Sequence, residues 1–347
     1  MLYATTRSNS HVETTHRAIH MDRCSDGGFF VPFRLPELEL GQILQMKDHT
    51  FGENMASVMN LFFSCNLTGV DVDFLIGRSP AKITSIPHKI LIAEAWHCGE
   101  SRLDYIVRRL FHRISTGEGN LQPTNWVQIA VRIAVIFASY GMLLASGQAN
   151  VRIPLDIAMA TGDFSGIMAA WYARKMGLPL GNIVCGCNAN GMVWDLLHRG
   201  IMSTNSVCVN TNTPLADIVI PDNLERLVDR GLGKAAVRSY LDKRCTGQLY
   251  TLHQQDAEQL RSGMFASVIS DSRVNQVIHS VFRTNSYILS PYDALAYASL
   301  LDYRATTGES RPAMIFSQRS PTCDCEMVAK NLRVRVDEVL RRVSMGD

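Results

Sequence analysis

A short turn rich in glycine, residues 161–166 (TGDFSG), has the residue types and spacing best suited to chemistry in this sequence. An apolar run at residues 157–159 predicts a buried strand before it, and apolar residues at helical spacing predict a helix after it. A turn between a strand and a helix points backbone N–H groups at the helix N-terminus, where a phosphate or carboxylate can bind. The alternative is a tight turn whose helix is capped by Asp163 or Ser165. Asp163 favours this second interpretation, because its carboxylate would repel an anion.

Other reactive side chains form no convincing constellation. The pairs Cys185/Cys187 and Cys323/Cys325 are each separated by one residue, whereas structural zinc pairs usually need two or more, so we predict no metal site. His97 could act as a general base, but it also fits a polar residue at a strand end. No serine or cysteine has an evident histidine and carboxylate partner, so nothing supports a hydrolase.

The composition predicts a globular protein with a sizeable core. The chain has 347 residues, of which 46% are hydrophobic and 19% charged, with a net charge of +2. This balance gives no reason to expect nucleic acid or a membrane surface as a partner. Nine scattered cysteines and a polar N-terminal start without a secretory pattern lead us to expect a cytoplasmic protein.

One stretch is apolar almost all round, residues 126–145. A membrane span is one interpretation, but Gln128 and Arg132 interrupt the run, and the remainder is short of the ~20 residues that a span needs. We therefore predict a buried core helix.

The segment after the predicted strand resembles a known family. Residues 160–181 (ATGDFSGIMAAWYARKMGLPLG) are similar to the threonine synthase segment PTGNFG-(D/N)-I-L-x-G-Y-Y-A-K-K-M-G-L-P-I. Residues 24–32 (CSDGGFFVP) resemble its A-x-D-G-G-L-F-V-P, and residues 223–227 (NLERL) its N-x-E-R-L. The resemblance runs through nearly all of the chain in order, apart from one large gap. Threonine synthases are fold-type II enzymes that use pyridoxal phosphate (PLP).

The resemblance implies a set of cofactor-binding positions that are altered here. In the family, a GNFG loop holds the cofactor phosphate, and a threonine in S-T-A-x-P meets the pyridine nitrogen. The corresponding residues in this sequence are Gly162, Asp163, Phe164, Ser165 and Gln318.

The departures extend to the lysine that forms the Schiff base. Residues 94–99 (EAWHCG) resemble the start of the family's E-L-F-H-G-P-T-L-A-F-K-D, but Leu103 or Asp104 then takes the lysine position, depending on the alignment. Neither can form an imine. Residues 115–123 form a polar linker where the family has most of a small domain, including an S-G-D-T-G motif that this sequence lacks. We therefore predict no catalytic residue.

These observations predict an α/β fold: a large domain like that of fold-type II PLP enzymes, with a parallel-rich sheet, helices on both faces and a small domain largely missing. We expect an α-rich N-terminal threonine-synthase-like region at residues 1–118 and the large domain at residues 119–347. The family reaction converts O-phospho-L-homoserine and water to L-threonine and phosphate.

Two functions follow. One is a catalytically degenerate relative that binds a small anion, an amino acid or a protein, as a monomer or a homo-oligomer, with PLP binding in doubt. The alternative is a PLP-dependent enzyme whose lysine and lid come from another subunit.

Overall fold

A computed structural model describes residues 1–10, 12–77, 80–203 and 205–345. Its strands are β1 Leu2–Thr5, β2 Glu13–Thr14, β3 Phe30–Pro32, β4 Lys82–Ile86, β5 Ile90–Glu94, β6 Leu155–Ala160, β7 Leu180–Cys187, β8 Ile201–Met202, β9 Tyr250–Thr251, β10 Met264–Val268 and β11 Ala313–Ser317. Its α-helices are α1 Thr15–His20, α2 Leu40–Gln45, α3 Phe51–Phe63, α4 Gly69–Leu75, α5 Leu103–Ile114, α6 Trp126–Ala145, α7 Ser165–Lys175, α8 Met192–Arg199, α9 Leu224–Leu232, α10 Lys234–Thr246, α11 Gln254–Arg261, α12 Asp271–Asn285, α13 Pro291–Thr307, α14 Cys325–Leu332 and α15 Val336–Met345.

The central element is a six-stranded sheet in the order β10-β7-β6-β11-β5-β4. All its strand pairs are parallel except the edge pair β4–β5, which is antiparallel. Its inner strands are buried along most of their length. Apolar side chains cover both faces, and they form two separate buried clusters. This arrangement confirms the predicted α/β fold with a parallel-rich sheet.

The long apolar stretch is α6, which begins and ends where the sequence predicts. It is long and apolar enough to cross a membrane, yet most of its residues are buried inside the fold. It packs between α3 and α7, so its apolar surface is covered by protein.

The connection between α5 and α6 is short. Residues 115–125 join the two helices directly, and Asn125 caps α6 by accepting the backbone N–H of Val127. The polar linker is therefore a loop, with no further helix or strand among its residues. The predicted loss of a small domain at this point stays a prediction.

The N-terminal region contacts the rest of the fold closely. Strands β4 and β5 precede residue 118 but lie in the large sheet beside β11. The fully buried Arg226 of α9 donates hydrogen bonds to the Phe30 carbonyl at 3.2 Å and to the Thr124 carbonyl at 2.7 Å. The sheet thus takes strands from both sides of residue 118, and the division there stays a prediction.

Candidate functional site

A cavity of about 370 Å³ lies where β6 and β11 end. Open parallel sheets usually bind ligands beyond the carboxyl ends of their strands. The end of β6 contributes residues 160–163, 165 and 166 to the cavity wall, and the end of β11 contributes residues 316, 318 and 319. The rest of the wall is formed by Arg102 just before α5, by residues 104 and 108 of α5, by residues 128 and 132 of α6, and by Leu121, Pro123, Leu215, Tyr292 and Asp293. The glycine-rich turn and Gln318, predicted from distant parts of the sequence, meet here.

The turn contains a carboxylate, that of Asp163, which accepts hydrogen bonds from the turn itself. Gly162 and Phe164 both have left-handed backbone angles, with φ of 46° and 68°. The Asp163 carboxylate accepts the backbone N–H of Ser165 at 2.9 Å and the Ser165 hydroxyl at 2.6 Å, both through Oδ1. Asp163 therefore caps the start of α7, although Phe164, and not Asp163 or Ser165, is the residue at the N-cap position. An anion bound here would meet both the Asp163 charge and an N–H group that is already occupied.

Residues 223–227, which resemble the family's N-x-E-R-L, lie at the start of α9 and hydrogen-bond to the turn. Asn223 donates from Nδ2 to the backbone carbonyl of Asp163 at 2.9 Å. The Asn223 amide oxygen in turn accepts a hydrogen bond from the buried Arg226. Contacts within the protein therefore stabilise the shape of the turn.

Of the two residues that can take the expected lysine position, Leu103 lies in the core and Asp104 is exposed. Leu103 is 1% exposed and begins α5, and its backbone N–H donates to the Gln318 carbonyl at 2.9 Å. The next residue, Asp104, accepts from Arg132 at 2.6 Å. Within the described residues, no lysine lines the cavity.

Gln318 is already committed to protein contacts. Its Oε1 accepts from Arg132 Nε at 2.8 Å. A Cβ placed on Gly166 would come within 2.8 Å of Gln318 Nε2, so the amide lies directly against the first turn of α7. The guanidinium of Arg132 also donates to the Gln128 carbonyl and side chain, each at 2.9 Å. Arg132 thus links α5, α6 and the end of β11.

Asp293 is a buried carboxyl group in the cavity wall. The residue is 3% exposed, and its Oδ2 accepts hydroxyl hydrogen bonds from Ser290 and Ser317, each at 2.7 Å. Burial raises the pKa of Asp293 to about 7. Tyr292 lies beside it and accepts the Leu215 N–H at 3.2 Å.

His97 lies outside this cavity. Its Nε2 is 3.1 Å from Glu94 Oε2, and Glu94 Oε1 accepts from Thr84 and Tyr287 at 2.8 and 3.0 Å. Burial opposes ionisation of Glu94, but the three hydrogen bonds prevail and lower its pKa. Glu94 borders another cavity, of about 430 Å³, along β4. The hydrogen bond between His97 and Glu94 fits the interpretation of His97 as a polar residue whose hydrogen-bonding needs are met within the protein.

The cysteine pairs do not meet other metal ligands in the described part of the chain, where no group of three or more His, Cys, Asp or Glu could hold a metal ion. Cys185 and Cys187 are fully buried in β7, and burial raises the pKa of the Cys187 thiol to about 12. They pack as small apolar residues.

The arginines of the cavity wall are functional candidates that sequence reasoning missed. Four arginines line the cavity, Arg102, Arg108, Arg132 and Arg319, against three aspartates. The sequence places Arg108 on a basic helix face, which is usually solvated, and Arg319 beside the altered cofactor position. The backbone pairing of Arg102 with Arg319 joins residues far apart in sequence, which local patterns do not reveal.

The residues present do not fit PLP. An imine needs a lysine, and Leu103 is an apolar core residue. A phosphate needs free N–H groups, and Asp163 occupies that of Ser165 with a negative charge. At the position that meets the pyridine nitrogen in the family, Gln318 replaces a threonine hydroxyl; Arg132 holds its oxygen, so only its Nε2 amide remains to donate.

Comparisons with known proteins agree with the resemblance seen in the sequence. A family model described as "Threonine synthase N terminus" matches residues 2–79. Human "Threonine synthase-like 1" is 27% identical over 175 residues, which are 50% of this chain and 24% of the relative. "Threonine synthase-like 2" from Xenopus laevis is 28% identical over 203 residues, 56% of this chain and 41% of the relative. The chain thus spans less than half the length of these curated relatives.

The fold has close matches among solved structures. PLP-bound threonine synthase from Brucella melitensis superposes with a TM-score of 0.84 at 17% identity, covering 96% of this chain and 92% of that chain. Yeast threonine synthase gives a TM-score of 0.81 at 16% identity, with coverage of 99% and 94%. The matched N-terminus, the curated relatives and the fold thus all show that the chain is similar to threonine synthases.

Proposed function

We propose that this protein is a catalytically degenerate threonine synthase-like protein that binds a small ligand in the cavity beyond β6 and β11 without forming a Schiff base. The observation that carries the proposal is that neither residue that can take the lysine position, the buried Leu103 or Asp104, has an amine, and that no lysine of the described chain lines the cavity. Without an amine nucleophile there, the family reaction cannot begin on this chain.

The altered cofactor positions support the same conclusion. Asp163 and Gln318 are integrated into hydrogen bonds that stabilise the turn and the wall. A concave cavity of about 370 Å³ with a few polar groups in its wall is suited to binding a small ligand. The protein therefore acts as a pseudoenzyme that senses or carries a metabolite, or presents it to a partner protein.

The test is incubation of the purified protein with PLP, followed by visible spectroscopy, borohydride reduction and peptide mass mapping. We expect no aldimine absorption and no lysine labelled stoichiometrically. An active threonine synthase treated in parallel is the positive control and should be labelled on one lysine. A single stoichiometrically labelled lysine in this chain would contradict the proposal. Labelling that occurs only after co-expression with another protein would favour the alternative of a lysine supplied by another subunit.

A further inference from the structure

Two arginines of the cavity wall are paired across the backbone. Arg102 and Arg319 form an isolated antiparallel bridge. It is closed on one side by the hydrogen bond from Leu103 N–H to the Gln318 carbonyl at 2.9 Å, and on the other by that from Ser320 N–H to the Ser101 carbonyl at 2.8 Å. This is the non-hydrogen-bonded kind of pair, in which opposite side chains share a face and come closest, with Cα atoms about 4.5 Å apart. Both side chains line the cavity.

Their charges are only partly compensated. Arg319 forms an ion pair with Asp324 at 2.8 Å. The guanidinium groups of Arg102 and Arg108 have no hydrogen-bond or ion-pair partner in the described part of the chain, and both residues are exposed at the cavity. Like charges directly opposite each other on paired strands are destabilising. An anion between them would remove that repulsion.

The rest of the wall leaves the positive charge in excess. Arg132 forms an ion pair with Asp104 at 2.6 Å. The Asp163 carboxylate accepts a hydrogen bond within its own loop, from the backbone N–H of Ser165. Asp293 has its pKa raised to about 7, so it is only partly charged near neutral pH. The unpaired cations at the cavity are therefore on α5 and on the segment before it, away from the glycine-rich turn.

We propose that the cavity binds a small dianion, a phosphate monoester or a dicarboxylate, through the guanidinium groups of Arg102, Arg319 and Arg108. The anion site is thus formed by the arginines and not by the backbone of residues 161–166. Guanidinium groups hold phosphate and carboxylate by paired, charge-assisted hydrogen bonds, and the cavity of about 370 Å³ has the size of a small-molecule site. This inference rests on the proposed function, because it requires a cavity without cofactor.

The experiment is calorimetric titration of the full chain with inorganic phosphate, glycerol 3-phosphate and succinate, at fixed ionic strength. We expect saturable binding at one site. Arg102→Gln and Arg108→Gln should each weaken it by about tenfold, the effect of losing one hydrogen bond to a charged group. Neither guanidinium has a hydrogen-bond or ion-pair partner among the described residues, so both variants should fold normally, which thermal unfolding can check.

The matched control is Arg113→Gln, on the same helix α5 but facing Asp71 at 3.4 Å. It should bind as the natural chain does. Tighter binding of glycerol 3-phosphate would assign the site to phosphate monoesters, and tighter binding of succinate to dicarboxylates. Absence of saturable binding to all three anions, or equal binding by Arg102→Gln, Arg108→Gln and Arg113→Gln, would overturn the inference. Either result leaves the proposed function standing unless PLP also labels a lysine.

Discussion

At the residue scale, Asp293 makes the cavity sensitive to pH. The groups that face it are the hydroxyls of Ser290 and Ser317, the carboxylate of Glu94 and the phenol of Tyr287. Burial is the largest effect and raises its pKa from 3.8 to about 7, while the two serine hydroxyls oppose the shift. The folded state therefore holds the proton more tightly than the unfolded chain does. Its contribution to stability is fully present below pH 3.8 and is lost as the pH rises through about 7.

Replacing this carboxyl by an amide tests the linkage. Asp293→Asn keeps an oxygen that can accept the two serine hydrogen bonds but cannot ionise. Because each pKa unit corresponds to about 1.4 kcal/mol, the free energy of unfolding of the variant, relative to the natural chain, should rise by roughly 2–4 kcal/mol across that pH range. Urea denaturation at several pH values measures it.

The control is Asp302→Asn on the same helix α13, where Asp302 forms a partly exposed ion pair with Arg273 at 2.6 Å. Its stability difference from the natural chain should change little over the range. A difference for Asp293→Asn that stays constant with pH would contradict the raised pKa.

How far the sequence predicts the site also depends on single residues. The turn at residues 161–166 is identifiable because glycine and polar residues interrupt apolar runs on both sides. The repulsive role of Asp163 follows from its charge alone. The engagement of Gln318 by Arg132 could not be predicted, since it joins residues 186 positions apart. The pairing of Arg102 with Arg319 is hidden for the same reason.

At the element scale, α6 and α7 are the best predicted parts of the fold. Their apolar residues recur at helical spacing, and clear capping or stop residues border them. Residues 246–252 have the sequence character of a strand between two helical stretches, but α10 continues to Thr246 and only Tyr250–Thr251 of β9 pair with β8. The hydrogen bonds of its partner strand end there, which the sequence alone does not reveal.

At the start of α7, the attraction of the helix N-terminus for anions is opposed by the negative charge of Asp163, and this opposition can be tested. The N-terminus of a helix attracts anions, while Asp163 cancels that attraction. Asp163→Asn removes the charge, retains an oxygen for the Ser165 hydrogen bonds and restores the family residue. The affinity for inorganic phosphate should rise by about tenfold, equivalent to an interaction of about one pKa unit. Calorimetric titration measures the change.

Asp195→Asn on α8 provides the matched control, because Asp195 pairs with Arg199 on the protein surface at 3.1 Å. It should leave the phosphate affinity unchanged. If Asp163→Asn also left it unchanged, the glycine-rich turn would be a structural turn only, without influence on anions in the cavity.

At the scale of the whole molecule, the fold has the parallel-rich sheet of the threonine synthase structures that it resembles. Residues 115–125 connect α5 directly to α6, where the family resemblance implies a small domain. In an enzyme of this kind, closure between two domains excludes water and aligns the reacting groups. The described chain has the large sheet and the cavity beyond it, but at this connection only a loop.

Restoring the lysine should therefore not restore the reaction. Leu103→Lys would supply an amine at a position that is 1% exposed, among apolar neighbours that disfavour its charged form. It would supply neither a phosphate site free of Asp163 nor the small domain that the family resemblance implies. We expect neither the natural chain nor Leu103→Lys to make threonine from O-phosphohomoserine, measured as phosphate release with threonine detection and as growth of a threonine auxotroph. An active threonine synthase in the same strain is the control that shows the assay works. Threonine made by the natural chain alone would refute the degenerate assignment, and threonine made only with a co-expressed protein would identify the partner that completes the site.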